Sequence, residues 1–277
     1  MNQPVITAEQ AAEFQSRGFV LGNRLLTDDQ ADEMFGIIQD IVTNDDNPYH
    51  KRVYDFKHGG RPLLHIKNMW KRYEVFNNLH QSPQIYDALR ALTGLDEFHL
   101  WQDRFFYKPP ASGGFHTWHQ DSKYLPFLKP YTAASVWIAL NDADADNGAM
   151  SMVPGSHQWG DASDFLEGIA DHAADGRPLP DSYGDHKIQS TLCPVPRGYA
   201  HFHSGSTWHG SGPNWSDRPR CAIGLFFVGA DVRFDGNSMW AKDYEGKHGE
   251  PLDAEFYPRL DAESIAAAHD TVWVPRA

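Results

Sequence analysis

The sequence predicts a mainly β domain in which an antiparallel sandwich or barrel is buttressed by N-terminal helices. Helix signals come before residue 95, whereas short apolar or alternating runs separated by Gly, Pro, Asn and Asp clusters fill the second half. Helices that precede strands, rather than alternating with them, argue against βαβ units. A length of 277 residues is sufficient for one such domain.

Two capping boxes mark helices within residues 1–45. Thr7 precedes Gln10 by three positions, and Thr27 precedes Gln30 in the same way, which is the spacing of a helix start. Apolar residues at helical intervals follow the second box. We therefore expect two helices here.

Three further stretches complete the N-terminal part. The run GFVL at 18–21 predicts a short strand between the two helices. Residues 46–80 are polar and irregular, which indicates loops and part of a pocket wall. Residues 82–94 predict a third helix, because apolar residues recur at helical spacing and Gly94 supplies a stop.

Five runs in the second half predict the strands of the core. They are residues 98–107, 133–140, 149–153, 198–203 and 220–228. Residues 157–190 interrupt them with a polar connection of unusual length, which is either a lid or a solvated insertion without a role. We expect one domain, 1–277, with a helical part (1–95), a β core (96–235) and a C-terminal extension (236–277).

Composition narrows the function classes. The formal net charge is −13, with 24 Lys and Arg against 37 Asp and Glu, which disfavours nucleic acid and anionic membranes as partners and favours a small-molecule substrate. Cys193 and Cys221 form no bridge or metal pattern, as expected in a reducing compartment. The sequence has no signal peptide pattern and no run near the ~18 apolar residues of a membrane span, so we expect a cytoplasmic protein.

The stretch Trp118-His119-Gln120-Asp121 is the first candidate for metal chemistry. In a β-strand, residues i and i+2 point to the same face, so His119 and Asp121 can converge on one cation. A second histidine would complete a set of two histidines and one carboxylate. That set leaves three positions open, which is typical of non-haem Fe(II) oxygenases that bind a co-substrate and O2.

Three histidines compete to be the distal ligand, namely His201, His203 and His209. We prefer His209 because an arginine lies eleven residues further on, at the head of an apolar strand. A dicarboxylate co-substrate that chelates iron with its 2-oxo acid end needs a fixed cation at its far carboxylate, and a guanidinium binds a carboxylate in bidentate fashion. Arg220 is the candidate for this role, and Arg218 is its rival.

Three blocks of the sequence carry a family resemblance. They are WHQD at 118–121, SVWIALNDADADNGAMSMVPGSH at 135–157 and HGSGPNWSDRPR at 209–220. With these blocks the chain resembles the phytanoyl-CoA dioxygenase family, which includes ectoine hydroxylase and belongs to the Fe(II)- and 2-oxoglutarate-dependent oxygenases. The likeness covers most of the chain. It implies a double-stranded β-helix core, also called a jelly roll or cupin-like fold.

The resemblance also implies roles for individual residues. It implies that His119, Asp121 and His209 hold Fe(II). It implies that 2-oxoglutarate is bound at its far carboxylate by Arg220 and is contacted by Ser211, Trp137, Gln102 and Lys67. From its sequence environment alone, Trp137 would be assigned to the core. Related halogenases have a small residue in place of the carboxylate, so Asp121 favours hydroxylation or a related oxidation.

The sequence leaves the substrate and two alternative functions open. It has no basic cluster suited to a CoA polyphosphate, and its aromatic segments favour a secondary-metabolite or amino-acid-like small molecule. A cupin-like metalloenzyme that does not use 2-oxoglutarate would have no need of Arg220. A non-catalytic jelly-roll binding module would have no need of an intact set of metal ligands.

Overall fold

The computed structural model describes residues 4–55, 60–130, 133–170 and 172–268. The helices are α1 (Ala8–Arg17), α2 (Asp28–Thr43), α3 (Glu74–His80), α4 (Pro83–Thr93), α5 (Ser163–Gly168), α6 (His172–Asp175) and α7 (Ala262–Ala268). The strands are β1 (Phe19–Arg24), β2 (Tyr54–Asp55), β3 (Leu64–Lys67), β4 (Phe98–Lys108), β5 (His116–His119), β6 (Leu128–Lys129), β7 (Ala133–Ala139), β8 (Met150–Met152), β9 (Ser182–Tyr183), β10 (His186–Lys187), β11 (Thr191–Cys193), β12 (Tyr199–Ser204), β13 (His209–Ser211), β14 (Arg220–Gly229), β15 (Arg233–Phe234) and β16 (Arg259–Leu260).

Two antiparallel sheets form the jelly roll that the resemblance implied. The larger sheet has the order β1-β12-β7-β14-β4-β3-β2, with β16 paired to β4, and the smaller sheet has the order β11-β8-β13-β5. Residues of both sheets line one cavity. The mainly β fold class is therefore confirmed.

The predicted helices start and stop where their capping residues lie. Thr7 and Thr27 each accept a hydrogen bond from the backbone of the glutamine three residues on, and the glutamine side chain accepts one from the threonine backbone. Helix α4 ends at Gly94 in the left-handed conformation (φ 73°). The apolar faces of α2 and α4 join the main core cluster, together with the outward-facing residues Phe105 and Tyr107 of β4. Because side chains alternate along a strand, Gln102, Arg104 and Phe106 of β4 point the other way and line the cavity.

The N-terminal part contains more sheet than predicted. The strand predicted at 18–21 is β1, an edge of the larger sheet against β12, whereas β3 lies within the expected loop 46–80 and pairs with β4. Helix α3 also lies in that segment. β3 spans only four residues, and its pairing partner lies about forty residues away, so local sequence gave no strong strand signal.

The segment 157–190 packs on the side of the smaller sheet that faces away from the cavity. Leu166, Ala173 and other apolar residues of the segment form a cluster with Trp118 and Trp208, the neighbours of two candidate ligands. None of its described residues lines the cavity. The lid function stays a prediction, and this packing supports a buttress for the ligand-bearing strands.

The cysteines and the helices bear on the cellular location expected from the sequence. Cys193 and Cys221 are buried and unpaired. None of the described helices combines the length and the apolar character that a bilayer crossing requires. The cytoplasmic location stays a prediction.

Candidate active site

Two histidines from neighbouring strands of the smaller sheet face each other. His119 ends β5 and pairs directly with His209, the first residue of β13, and their ring centroids lie 4.1 Å apart. Asp121 begins a 3-10 helix, Asp121–Tyr124. The Nε2 atoms of both histidines lie 3.7 Å from Oδ1 of Asp121. The three residues therefore offer ligand atoms that all lie within 4.8 Å of one another.

The expectation that His119 and Asp121 share one strand needs correction. Strand β5 ends at His119, and the extended conformation continues only through Gln120 (φ −113°, ψ 137°) before the chain turns. The buried Gln120 amide fixes this turn by donating to the carbonyl oxygens of Gly160 and Ser206. One extended residue is sufficient to keep the carboxylate on the same side as the imidazole.

Backbone carbonyls orient both imidazoles. Nδ1 of His119 lies 2.7 Å from the carbonyl oxygen of Thr117, and Nδ1 of His209 lies 2.9 Å from that of Thr207. A carbonyl oxygen can only accept, so Nδ1 carries the hydrogen in each ring. Each Nε2 is then left with a lone pair directed at the gap beside Asp121, which is the arrangement of metal-binding histidines.

A hydrogen bond to one oxygen fixes the Asp121 carboxylate. Ser135 Oγ donates to Oδ2 at 2.7 Å, which leaves Oδ1 for a cation. His203 Nε2 lies 3.3 Å from the same Oδ2, so this rival histidine sits behind the carboxylate. The other rival, His201, stacks on Phe19 with centroids 5.8 Å apart. Of the three competing histidines, His209 alone joins the cluster of ligand atoms.

The protonation states fit a divalent cation. Burial lowers the pKa of His209 well below its usual range, and the nearby His119 adds to this effect, so the imidazole is neutral near pH 7. Burial alone would raise the pKa of Asp121, but the surrounding histidines hold it well below its usual value, so the carboxylate is ionised. A neutral imidazole beside an ionised carboxylate is the donor set that an iron or similar ion binds.

The site opens into a cavity of about 600 Å³ between the two sheets. Its wall includes every residue that the sequence predicted for metal or co-substrate binding, namely His119, Asp121, His209, Arg220, Gln102, Trp137, Ser211 and Lys67. Trp137 belongs both to the apolar core and to the cavity wall. It is 4% exposed, packs in an apolar cluster and borders the cavity.

Arg220, rather than Arg218, faces the cavity. The Arg220 guanidinium lies over the Trp137 ring, 5.4 Å from its centroid, and burial lowers the pKa of Arg220 to about 10, so it remains a cation. Its buried Nε has no hydrogen-bond partner in the described chain. Arg218 instead pairs with Asp144 away from the cavity.

Lys108 is a fully buried lysine that the sequence interpretation missed. It pairs with Arg220 across β4 and β14, and its Nζ donates to Ser211 Oγ at 2.8 Å. The same Nζ donates to the carbonyl oxygens of Gly148 (3.3 Å) and Gly212. Lys108 therefore links the end of β13 in the smaller sheet to the end of β4 in the larger sheet.

Other cavity residues were missed as well. Arg104 and Phe106 follow the predicted Gln102 along β4 with a period of two, and this pattern was available to place them on the same face. No local signal could show that Ser135 bonds to Asp121, because that contact depends on how the two sheets pack.

Comparisons with known proteins identify the family of the chain. The Phytanoyl-CoA dioxygenase (PhyH) family profile matches residues 14–222. A phytanoyl-CoA dioxygenase domain-containing protein 1 homolog from Caenorhabditis briggsae is 29% identical over 71% of this chain and 64% of its own length, slightly under two thirds. A probable alpha-ketoglutarate-dependent hypophosphite dioxygenase from Stutzerimonas stutzeri is 28% identical over 81% of this chain and 79% of its own length.

The crystal structure of SnoK, a non-heme alpha ketoglutarate dependent carbocyclase from nogalamycin biosynthesis, has the same fold. It superposes with a TM-score of 0.74 at 21% identity, over 94% of this chain and all of that chain. A jelly roll with converging histidine and aspartate ligands defines the class of non-haem iron oxygenases. Within that class, the chain belongs to the phytanoyl-CoA dioxygenase family and is an Fe(II)- and 2-oxoglutarate-dependent oxygenase.

Proposed function

We propose that His119, Asp121 and His209 hold the iron of this oxygenase, which oxidises a small molecule. The observation that carries the assignment is the convergence of two Nε2 atoms on Asp121 Oδ1, with both imidazoles oriented by backbone carbonyls. When bound, Fe(II) with 2-oxoglutarate and O2 supplies oxidising power that no side chain has, and succinate and CO2 are released. The protein contributes binding, orientation and exclusion of water.

We assign the far carboxylate of 2-oxoglutarate to Arg220. A buried cation without a counter-ion is unfavourable, and Arg220 has no such partner among the described residues, so a bound carboxylate would stabilise it. Ser211 is suitably placed to assist. Because its Oγ accepts from Lys108, its own hydrogen is available to donate into the cavity. The Trp137 ring limits where the guanidinium can move.

Gln102 and Lys67 are assigned to the rest of the co-substrate. Both line the cavity from strands β4 and β3 of the larger sheet. The Gln102 amide offers a donor and an acceptor, and Lys67 offers a cation. The retained carboxylate of Asp121 favours hydroxylation or a related oxidation over halogenation. The size and aromatic lining of the cavity support a secondary-metabolite or amino-acid-like substrate.

An anaerobic titration of metal-free protein with Fe(II) and 2-oxoglutarate tests these assignments. We expect the weak visible absorption band of a metal-chelated 2-oxo acid, followed by succinate when air is admitted. His119→Ala and Asp121→Ala should abolish both signals while the protein stays folded. Full turnover in either variant would show that the metal assignment is wrong.

A matched pair of arginine variants tests the co-substrate site. Arg220→Gln should weaken 2-oxoglutarate binding by roughly 30-fold or more, because a buried charge-assisted bond is lost. Arg218→Gln removes the same charge from the Asp144 pair and should leave the affinity unchanged. If the loss appeared in Arg218→Gln instead, the role would move two residues upstream.

A further inference from the structure

The cavity wall carries more positive charge than the metal and co-substrate require. Its described Lys and Arg side chains are Lys67, Arg104, Arg220 and Lys242, and its carboxylates are Asp121 and Asp243. The charges of a divalent metal and of the two carboxylates of 2-oxoglutarate cancel, and the four cationic side chains of the wall outnumber its two carboxylates. Positive charge therefore remains in excess. In a chain of net charge −13 this excess is a local property of the site.

Arg104 lies at a different level of the larger sheet from Arg220. Arg220 pairs with Lys108 on β4, whereas Arg104 pairs with Gly224 on β14. The two levels are four residues apart, about 13 Å along the strands. Lys67 pairs with Arg104 across β3 and β4 and so lies at its level. The far carboxylate of 2-oxoglutarate is assigned to Arg220, so Arg104 is left as a cavity cation without an assigned ligand.

No carboxylate among the described residues forms an ion pair with Arg104, and Arg104 lines the same cavity as the candidate metal ligands. Its buried Nε has no hydrogen-bond partner in the described chain. Its guanidinium lies 5.9 Å from the Phe226 ring centroid. Tyr124 and Tyr244 line the same cavity as Arg104. The Tyr124 ring is 5.7 Å from that of His119.

We propose that Arg104 binds an anionic group of the primary substrate, either a carboxylate or a phosphorus oxyanion. A guanidinium matches the geometry of both groups in bidentate fashion. Tyr124, Phe226 and the half-exposed Trp240 provide apolar walls around it. This inference rests on the proposed function, because it reserves Arg220 for 2-oxoglutarate.

Calorimetric titration with anionic and neutral aryl probes tests the proposal. Anaerobic protein loaded with Fe(II) and 2-oxoglutarate is titrated with phenylacetate, phenylphosphonate and neutral phenylacetamide. We expect at least one anion to bind roughly tenfold more tightly than the amide. A preference for phenylacetate would indicate a carboxylate substrate, and a preference for phenylphosphonate would indicate a phosphorus oxyanion. Equal affinity for all three probes would overturn the proposal.

Variants show which residue causes the preference for an anionic probe and separate this preference from 2-oxoglutarate binding. Arg104→Gln should remove the preference for the anion and change 2-oxoglutarate affinity by less than about twofold, while Arg104→Lys should retain part of the preference. Arg90→Gln removes the same charge from the surface and should change nothing. A preference that survives in Arg104→Gln would overturn the proposal. A failure to bind Fe(II) or 2-oxoglutarate would contradict the proposed function instead, because the probe heats are measured separately on the same protein.

Discussion

Lys67 is a residue whose charge changes near neutral pH. Burial lowers its pKa from 10.5 to about 8, and the neighbouring Arg104 adds to this effect. The side chain is therefore cationic below pH 8 and neutral above it. If Lys67 binds 2-oxoglutarate, kcat/KM for the co-substrate should fall up to about tenfold between pH 7 and pH 9. Lys67→Arg should abolish that fall, and Lys242→Arg, the same change at another cavity lysine, should retain it. A fall that persists in Lys67→Arg would assign the titration to another group.

At the scale of single residues, the candidate ligands that could be predicted are those separated by short spacings along the chain. His119 and Asp121 were recognisable from a spacing of two, and His209 and Arg220 from a spacing of eleven. Arg104 was missed because its meaning depends on the absence of a counter-ion, which only the packed cavity reveals.

At the scale of elements, Asp103 on β4 fixes the turn that follows β3. Its two carboxylate oxygens accept from the backbone N–H groups of Met69 and Trp70, each at 2.8 Å. Asn68 in this turn has a positive φ of 59°. Asp103→Asn replaces one acceptor with a donor, so it should lower the free energy of unfolding by about 1–3 kcal/mol in urea titrations. It should also weaken 2-oxoglutarate binding, since Lys67 immediately precedes the turn. Asp87→Asn on the exposed side of α4 is the control, and equal stability of both variants would contradict this role.

The secondary-structure elements differ in how far they could be predicted from the sequence. Helices α1 and α2 were predictable because capping boxes act within four residues. Strand β4 was predictable from its apolar run, but β3 was not, because its four residues are stabilised by pairing with a distant strand. Asp121 was expected on a strand because its pattern is local, whereas the turn that carries it is fixed by Gln120 bonds to distant carbonyls.

At the scale of the whole molecule, the 157–190 segment links stability to the metal site. Leu166, which is 2% exposed, packs in a cluster with Trp118 and Trp208, and these tryptophans adjoin His119 and His209. Leu166→Ala should destabilise the protein by about 2–5 kcal/mol through the cavity it creates. Because the loss lies directly behind the ligand strands, it should also weaken Fe(II) binding, measured anaerobically at a temperature where the variant is folded.

Leu89→Ala is the matched control, because it removes the same atoms from the fully buried core between α4 and the larger sheet. It should cost similar stability and leave Fe(II) affinity nearly unchanged, since that cluster contains no neighbour of a ligand histidine. Equal Fe(II) affinity in both variants would contradict the buttress role. If Leu166→Ala instead uncoupled succinate formation from substrate oxidation without weakening Fe(II) binding, the segment would act on substrate enclosure, as a lid does.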